Sequence, residues 1–518
     1  MVDIKTIFTD SGNGWSPDTK IRFPDDEEFA KVTTRWASYK PPTYAAAISP
    51  ATEEDVVKTV KLATKHGIHF LATAGRHGYS TVFGKLQNGL AMDLRQLNSI
   101  ELDTRAETVT IGGGVTTGEV LDPLYEAGFD LREWLVTDAA NFPLGRWLRN
   151  PKMRRSIPGN DYQLTDMREI ATGSCSATGL VGTTLGGGVC RYSGVHGLLI
   201  DSLLSLRVVT ASGEVVEASA TSEPELFWGM RGAGANLGVV TSATYRIHRI
   251  ADDPRSRGNA TNIDFVIPAP MAPAYFEMLE KHFGGDRMPQ NLAPMSIVIF
   301  DPERAVPQIL GTWAYLGPED EAREVIAPLL ALGPPVIAVQ NIPTNKLLHA
   351  AAFGFVPVIQ RDSRIRSAYS ANMKNISGPA LQDAFDKMCA LYEAHPDARG
   401  SAIEMEHFPN QAMAAVPDEE TAYPWRDSRN NIICLFSWQD PNSSAPKAVA
   451  ELGPQLRADL CKAGGYDDVS VYVSYSQGDE TLEQVYGRRK LPRLAALKKA
   501  WDPNNVFGYN FTLPTEYP

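Results

Sequence analysis

The residues Ala74-Gly75-Arg76-His77-Gly78-Tyr79 put an imidazole into a glycine-flanked turn. They follow an apolar run, so the backbone can bend sharply and present N–H groups to a phosphate, with His77 beside the ligand. A loop histidine bonded only to backbone is the plainer account of this segment taken alone. A second segment, Gly173 to Gly188, combines Cys175 with six glycines, among them Gly179, Gly182, Gly186 and Gly187. Glycine lets a backbone approach a flat or anionic ligand closely, and a merely flexible loop does not account for so many in one non-repetitive stretch. The run does not fit the GxGxxG dinucleotide fingerprint. A third segment, Leu226 to Thr241, carries Gly234 and Gly238 and feeds a strand from Val239. It reads as an ordinary helix-to-strand connection or as backbone packed against a cofactor, and its repeated small residues favour the cofactor. Glu404 and Glu406 alternate with Ile403 and Met405, so on a strand both carboxylates face one way. That face either supplies an acid or base to a substrate cavity or is an ordinary solvent face, and the solvent face has the stronger claim.

The elements that must position these residues alternate between helix and strand. Ala51 to Gly67 has an apolar stripe at helical spacing, with Glu53 and Glu54 at its start and Gly67 at its end. Ile68 to Ala72, Leu90 to Leu94 and Thr108 to Ile111 read as strands, and Thr117 to Ala127 as a helix that stops at Gly128. Leu203 to Thr210 and Glu214 to Ala218 form a hairpin pattern around Ala211-Ser212-Gly213. Glu225 to Arg231 is a short helix and Val239 to His248 a strand. From about residue 132 to residue 168 the period is lost, and the basic stretch RWLRNPKMRRSIPGN reads as an irregular surface loop. Beyond Ile263 strands such as Met295 to Phe300 alternate with helices such as Glu319 to Leu332 and Ala380 to His395. The tail from Val469 to Phe511 is expected to run strand, helix, coil.

The chain of 518 residues is too long for one ordinary core, so two domains are expected. Its net charge of −12 argues against a general binder of nucleic acid or anionic membrane. No apolar run reaches the length of a bilayer span. The N-terminus lacks the basic-then-apolar profile of a secretory signal, so a cytoplasmic protein is expected. The five cysteines are widely spaced with no CxxC pair, and neither a disulfide framework nor a metal site is suggested.

Taken in order, the three glycine-rich segments resemble the berberine-bridge-enzyme-like FAD-linked oxidases, within the wider vanillyl-alcohol-oxidase group with its PCMH-type FAD-binding domain. The run Tyr472-Val473-Ser474-Tyr475, then Leu494 to Lys499, then Trp501-Asp502-Pro503-Asn504-Asn505-Val506-Phe507 strengthens the resemblance. It implies FAD attached twice, through His77 to the flavin 8α carbon and through Cys175 to carbon 6. It also implies cofactor contacts from Gly75, Arg76, Gly78, Gly173, Gly179, Gly182, Gly186, Gly187, Gly234, Gly238, Val239 and Asn505. Tyr475 matches the family's basic tyrosine, which needs a neighbouring cation or hydrogen-bond donor to work near neutral pH. Glu406 is the better candidate of the two strand carboxylates, because relatives often place an acidic or polar residue there. Several positions depart from the family: Arg76 and Cys190 stand where glycine is usual, Ser474 where Asn is common, and Thr178 where an apolar residue is thought to control oxygen access. The stretch before Cys175 is an insertion, either a lid or a translated intron.

The expected fold is therefore α+β, in the two-domain vanillyl-alcohol-oxidase-like architecture. A 1–40 extension precedes a flavin domain over 41–250, interrupted by the insertion at about 130–168. A substrate domain over 251–468 offers an antiparallel sheet with covering helices, and 469–518 returns to the flavin domain. The expected activity is oxidation of a small-molecule substrate in secondary metabolism, with molecular oxygen as acceptor. An oxidative cyclase, a carbohydrate or alcohol oxidase, and a flavin-binding protein without turnover are the alternatives.

Overall fold

The computed structural model describes residues 3–131, 177–250, 257–354 and 364–518. The insertion beyond residue 131, Gly173 and Cys175 lie outside the described residues.

The first half builds two small sheets. In one, Lys20–Arg22, Tyr44–Ser49, Gly89–Asp93 and Phe70–Thr73 lie in that order, the last three mutually parallel. Parallel strands need a crossover, and the helix Glu53–His66 provides the one between Tyr44–Ser49 and Phe70–Thr73, which flank Gly89–Asp93. Thr52 caps that helix by accepting from the Asp55 N–H, and Gly67 ends it at φ 63°. Its Val56, Val60 and Ala63 pack with Phe70, Leu90, Val209 and Val239. The second sheet is antiparallel, in the order Ile100–Asp103, Thr108–Gly112, Val239–Arg246, Leu203–Val209, Val215–Ser219. The expected hairpin is there, within a residue at each end.

The third sheet runs Val336–Pro343, Asn259–Pro268, Val306–Tyr315, Met295–Asp301, Ala402–Glu406, Asn430–Trp438, Ile365–Met373, with Leu292–Ala293 paired beside Val306–Tyr315. Every pairing in it is antiparallel. Its strands are apolar on both faces because both are covered. The helices Ala272–Phe283, Gly378–Ala394 and Ala445–Ala463 pack on the face that carries Val298, Ile403, Cys434 and Phe436. The other face, with Met295, Ile297, Ile433 and Leu435, meets Trp36, Leu198, Tyr472 and Tyr475 from the other half of the molecule. The tail helix Leu491–Trp501 buries Leu491, Leu494 and Leu497 against Phe227, Trp228 and Leu237, each such side chain contributing roughly 1.5–3 kcal/mol. Among the described residues no helix is long and apolar enough to cross a membrane.

Three sequence expectations need correction. The helix expected from Glu319 to Leu332 is two, Glu319–Val325 and Ala327–Ala331, since Pro328 has no N–H to continue the ladder. The expected strand after Val469 does not form; Val473–Tyr475 is a 3₁₀ turn. On a strand, Tyr472 and Tyr475 would point to opposite faces. In the turn their rings meet edge-on with centroids 4.9 Å apart, as i,i+3 side chains do at three residues per turn. Finally, Glu404 and Glu406 are not on a solvent face: they are 1% and 0% exposed.

Candidate active site

A cavity of about 290 Å³ opens where the two small sheets, the glycine-rich segments and the tail converge. All three segments singled out in the sequence reach it: the Gly75–Ser80 turn, Thr178 to Gly186, and Gly232 to Val240. Tyr472 to Tyr475, Phe507, Tyr509 and Asn510 close it from the tail.

The glycines explain the convergence. A side chain at Gly75 would put Cβ 2.5 Å from both the Ala177 carbonyl oxygen and the Gly179 nitrogen. The histidine turn and the segment just after Cys175 therefore touch backbone to backbone. Backbone bonds from Thr117 N to Thr178 O and from Leu180 N to Val115 O hold that segment in place, both 3.0 Å. At Gly186 a Cβ would lie 2.5 Å from Ser474 Oγ, so this glycine admits the tail. Gly182 is different: it lines the cavity and a Cβ there would meet nothing within 4 Å.

His77 lines the cavity and its ring stacks on Trp36, centroids 6.3 Å apart and 19° from parallel. Arg76 sits in the left-handed region at φ 60°. Its guanidinium donates to Asp93 Oδ1 at 2.8 Å and to the carbonyls of Ala74 and Lys31, and Arg76 also lines the cavity. Gly78, Gly179, Gly238 and Val239 also line it. Gly187 and Gly234 do not; their missing side chains make room for the Tyr423 ring and for Leu185. Asn505 is exposed on a left-handed turn at φ 56°, away from the cavity, and the tail residues that do reach in are Phe507, Tyr509 and Asn510. Cys190 is buried outside the cavity beside Ser193.

Tyr475 is 6% exposed and donates its hydroxyl to Glu406 Oε1 at 3.5 Å. Burial pushes the phenol well above its usual range, and the acidic neighbours Glu406 and Glu404 and the phenols of Tyr472 and Tyr79 add to the shift. Among the described residues no stabilising cation of the kind a free phenolate needs acts on it. Burial also pushes Glu406 well above the carboxylate range, while Arg191 and the Tyr475 hydrogen bond pull it back. Arg191 thus favours negative charge on Glu406, not on Tyr475. Among the described residues the second carboxylate oxygen of Glu406 is buried with no partner, as are Asn431 Oδ1, directly opposite it in register, and Ser370 Oγ on the next strand. Such unpaired acceptors are costly unless a ligand satisfies them.

One cavity residue, Arg35, and its neighbour Trp36 escaped the sequence reading. Arg35 donates to the Gly78 carbonyl at 3.1 Å, and its guanidinium lies 4.2 Å from the Phe83 ring centroid. Its neighbour Trp36 stacks on His77. Both sit in the N-terminal extension, which carries no motif to flag them.

The residues from 44 to 139 match the model of the FAD binding domain family, and 471 to 514 match the berberine and berberine-like family. Over 518 residues the chain is 44% identical to FAD-linked oxidoreductase fogF of Aspergillus ruber, covering 100% of this chain and 95% of the relative. The chain belongs to the berberine-bridge-enzyme-like family of FAD-linked oxidoreductases. FAD-linked oxidoreductase srdI of Neurospora crassa is another relative, 38% identical over 100% of this chain and 94% of its own length. The vanillyl-alcohol-oxidase-like fold is shared with BBE-like 1 of Physcomitrella patens, at a TM-score of 0.77, 20% identity and coverage of 97% and 98%. It is shared too with the glucooligosaccharide oxidase of Acremonium strictum, at 0.75, 21% identity and coverage of 96% and 97%.

The cavity suits the family's cofactor. Berberine-bridge-enzyme-like proteins bind FAD, which presents a flat ring and an anionic diphosphate. The walls here are glycine backbone and aromatic rings, and among the described lining residues there is no Asp or Glu.

Proposed function

We propose that this protein is an oxidase that carries FAD on His77 and Cys175 and oxidises a small, partly apolar organic molecule bearing hydrogen-bond donors. The observation that carries the reading is the contact of Gly75 with Ala177. Each lies two residues from one of the attachment residues, and Gly75 and Thr178, the residue after Ala177, line the cavity that Tyr475 closes.

When bound, FAD supplies the acceptor for a hydride equivalent and passes the electrons to molecular oxygen, yielding hydrogen peroxide. The protein's own task is the proton. Tyr475 accepts it from the substrate while its own hydroxyl proton moves to Glu406 along the bond they share. This relay avoids a free phenolate, which the surroundings of Tyr475 disfavour. It requires Glu406 to be ionised at the start, and Arg191 favours that form. The unpaired oxygens of Glu406, Asn431 and Ser370 accept hydrogen bonds from the substrate, and Met295, Ile297 and Leu435 on the same face cover its apolar part. A hydroxylated intermediate of secondary metabolism meets this description better than an extended sugar chain, for which more polar surface is needed.

The test is an anaerobic screen of small hydroxylated aromatics, polyketide-like alcohols and oligosaccharides for bleaching of the flavin absorbance, followed by admission of oxygen and a peroxide assay. A small hydroxylated compound that bleaches the flavin and yields one peroxide per turnover supports the proposal. Bleaching by oligosaccharides alone would overturn the substrate class. Reduced flavin that oxygen does not reoxidise would overturn the oxidase assignment.

A further inference from the structure

Two arginines stand at the histidine turn, and the described residues provide a carboxylate for only one of them. Arg76 is paired with Asp93 at 2.8 Å. Arg35 is 7% exposed and lines the same cavity, yet its contacts are the Gly78 carbonyl, the Phe83 ring and the Tyr44 hydroxyl. Among the described residues no carboxylate pairs with it, and none lines the cavity it faces. Burying a cation without a counter-ion costs several kcal/mol. In a chain with a net charge of −12, an uncompensated positive charge in a closed site marks a place kept for an anion. FAD has one anionic group, its diphosphate.

We propose that Arg35 binds the diphosphate of the cofactor, and so that the N-terminal extension, through Arg35, is part of the cofactor site. The proposal rests on the FAD assignment, not on the covalent links or the substrate class. Burial lowers Arg35 only to about 10, so it remains a cation at neutral pH. The guanidinium spans from the Gly78 carbonyl to the cavity, tying cofactor charge to the turn that carries His77. Planar N–H donors match phosphate oxygens in a way the point charge of lysine does not.

The test compares wild type, Arg35→Lys and Arg35→Gln, purified as holoprotein. It reads flavin per chain from absorbance and the ³¹P resonances of the bound diphosphate. The proposal expects Arg35→Gln to hold less than about a tenth of the wild-type flavin. It expects Arg35→Lys to recover most of it, with the phosphorus resonances displaced from their wild-type positions. Full flavin in Arg35→Gln with unmoved resonances overturns the proposal. If Arg35→Gln does not fold, Arg35→Lys decides alone. A merely structural lysine on the Gly78 carbonyl leaves the phosphorus signals where they were, which overturns the proposal, and displaced signals uphold it. Wild type purified without flavin would overturn the cofactor assignment itself, whereas flavin-replete protein with indifferent variants overturns only the role of Arg35.

Discussion

Tyr475 and Glu406 come from opposite halves of the molecule and meet through one hydrogen bond. If they act as a relay, Tyr475→Phe and Glu406→Gln should each slow flavin reduction by about 10²–10⁴-fold, the range of general acid–base catalysis. The double variant should be scarcely slower than either single one, because each change breaks the same path. Stopped-flow reduction under anaerobic conditions measures this, and multiplying losses would rule out a shared path. The relay also fixes a pH dependence. Glu406 must be ionised and burial holds it well above the ordinary carboxylate value of 4.5. Reduction should therefore fade as the pH drops through an inflection that lies well above that value. Glu406→Gln should remove the inflection; its survival in that variant would assign it to another group.

At the level of elements, the loop that follows Tyr475 is held from the half that carries the third sheet. Arg457, on the helix Ala445–Ala463, pairs with Asp479 at 2.6 Å and with Glu480 at 2.7 Å. Glu480 in turn accepts the N–H groups of Gln477 and Gly478, and the Gln477 carbonyl accepts from Thr81. Arg457→Met leaves the fully buried Glu480 charge uncompensated. It should cost about 3 kcal/mol of stability and lower the turnover rate with flavin content unchanged. Denaturant unfolding beside steady-state kinetics measures both, and wild-type values for each would show that the clamp positions nothing. None of this was legible in the sequence, because Arg457 and Glu480 belong to different elements and no local pattern joins them. The glycine segments were legible because close backbone approach needs glycine wherever it occurs. The helix and strand periods of the first half were legible for the same reason of local chemistry. Where tertiary contact decides, the sequence misled. Tyr472 to Tyr475 has strand composition but turns to bring both phenols to one side. Glu404 and Glu406 have the alternation of a solvent face, yet they are covered by a second half of the molecule that alternation cannot reveal. Asn505 lies in a matching motif, but it serves its own turn and not the cavity.

For the whole molecule, two buried groups set opposing responses to acid. Burial lowers His407 from 6.5 to about 4. Its contribution to stability is present above pH 6.5 and is lost as the pH falls through about 4, because the unfolded chain takes up a proton that the folded one refuses. Burial raises Asp264 from 3.8 to about 6, against the N–H groups of Phe353 and Ala352 that favour its charged form. Its contribution is present below 3.8 and lost as the pH rises through about 6. Replacing His407 by Gln should leave Asp264 to dominate, so stability should fall less between pH 7 and pH 5 than in the wild type. Urea midpoints at the two pH values measure this, and an equal fall in both proteins would clear His407 of the role. The halves of the molecule are joined by the Tyr475–Glu406 hydrogen bond and the Arg457–Glu480 pair, and the cofactor proposed for the cavity lies on the Tyr475 side. Mass spectrometry of peptides from the acid-denatured, protease-digested holoprotein asks how that cofactor is held. The account predicts one flavin joining a peptide that contains His77 to a peptide that contains Cys175. Flavin released entirely into the acid supernatant, or found on some other residue, would contradict it.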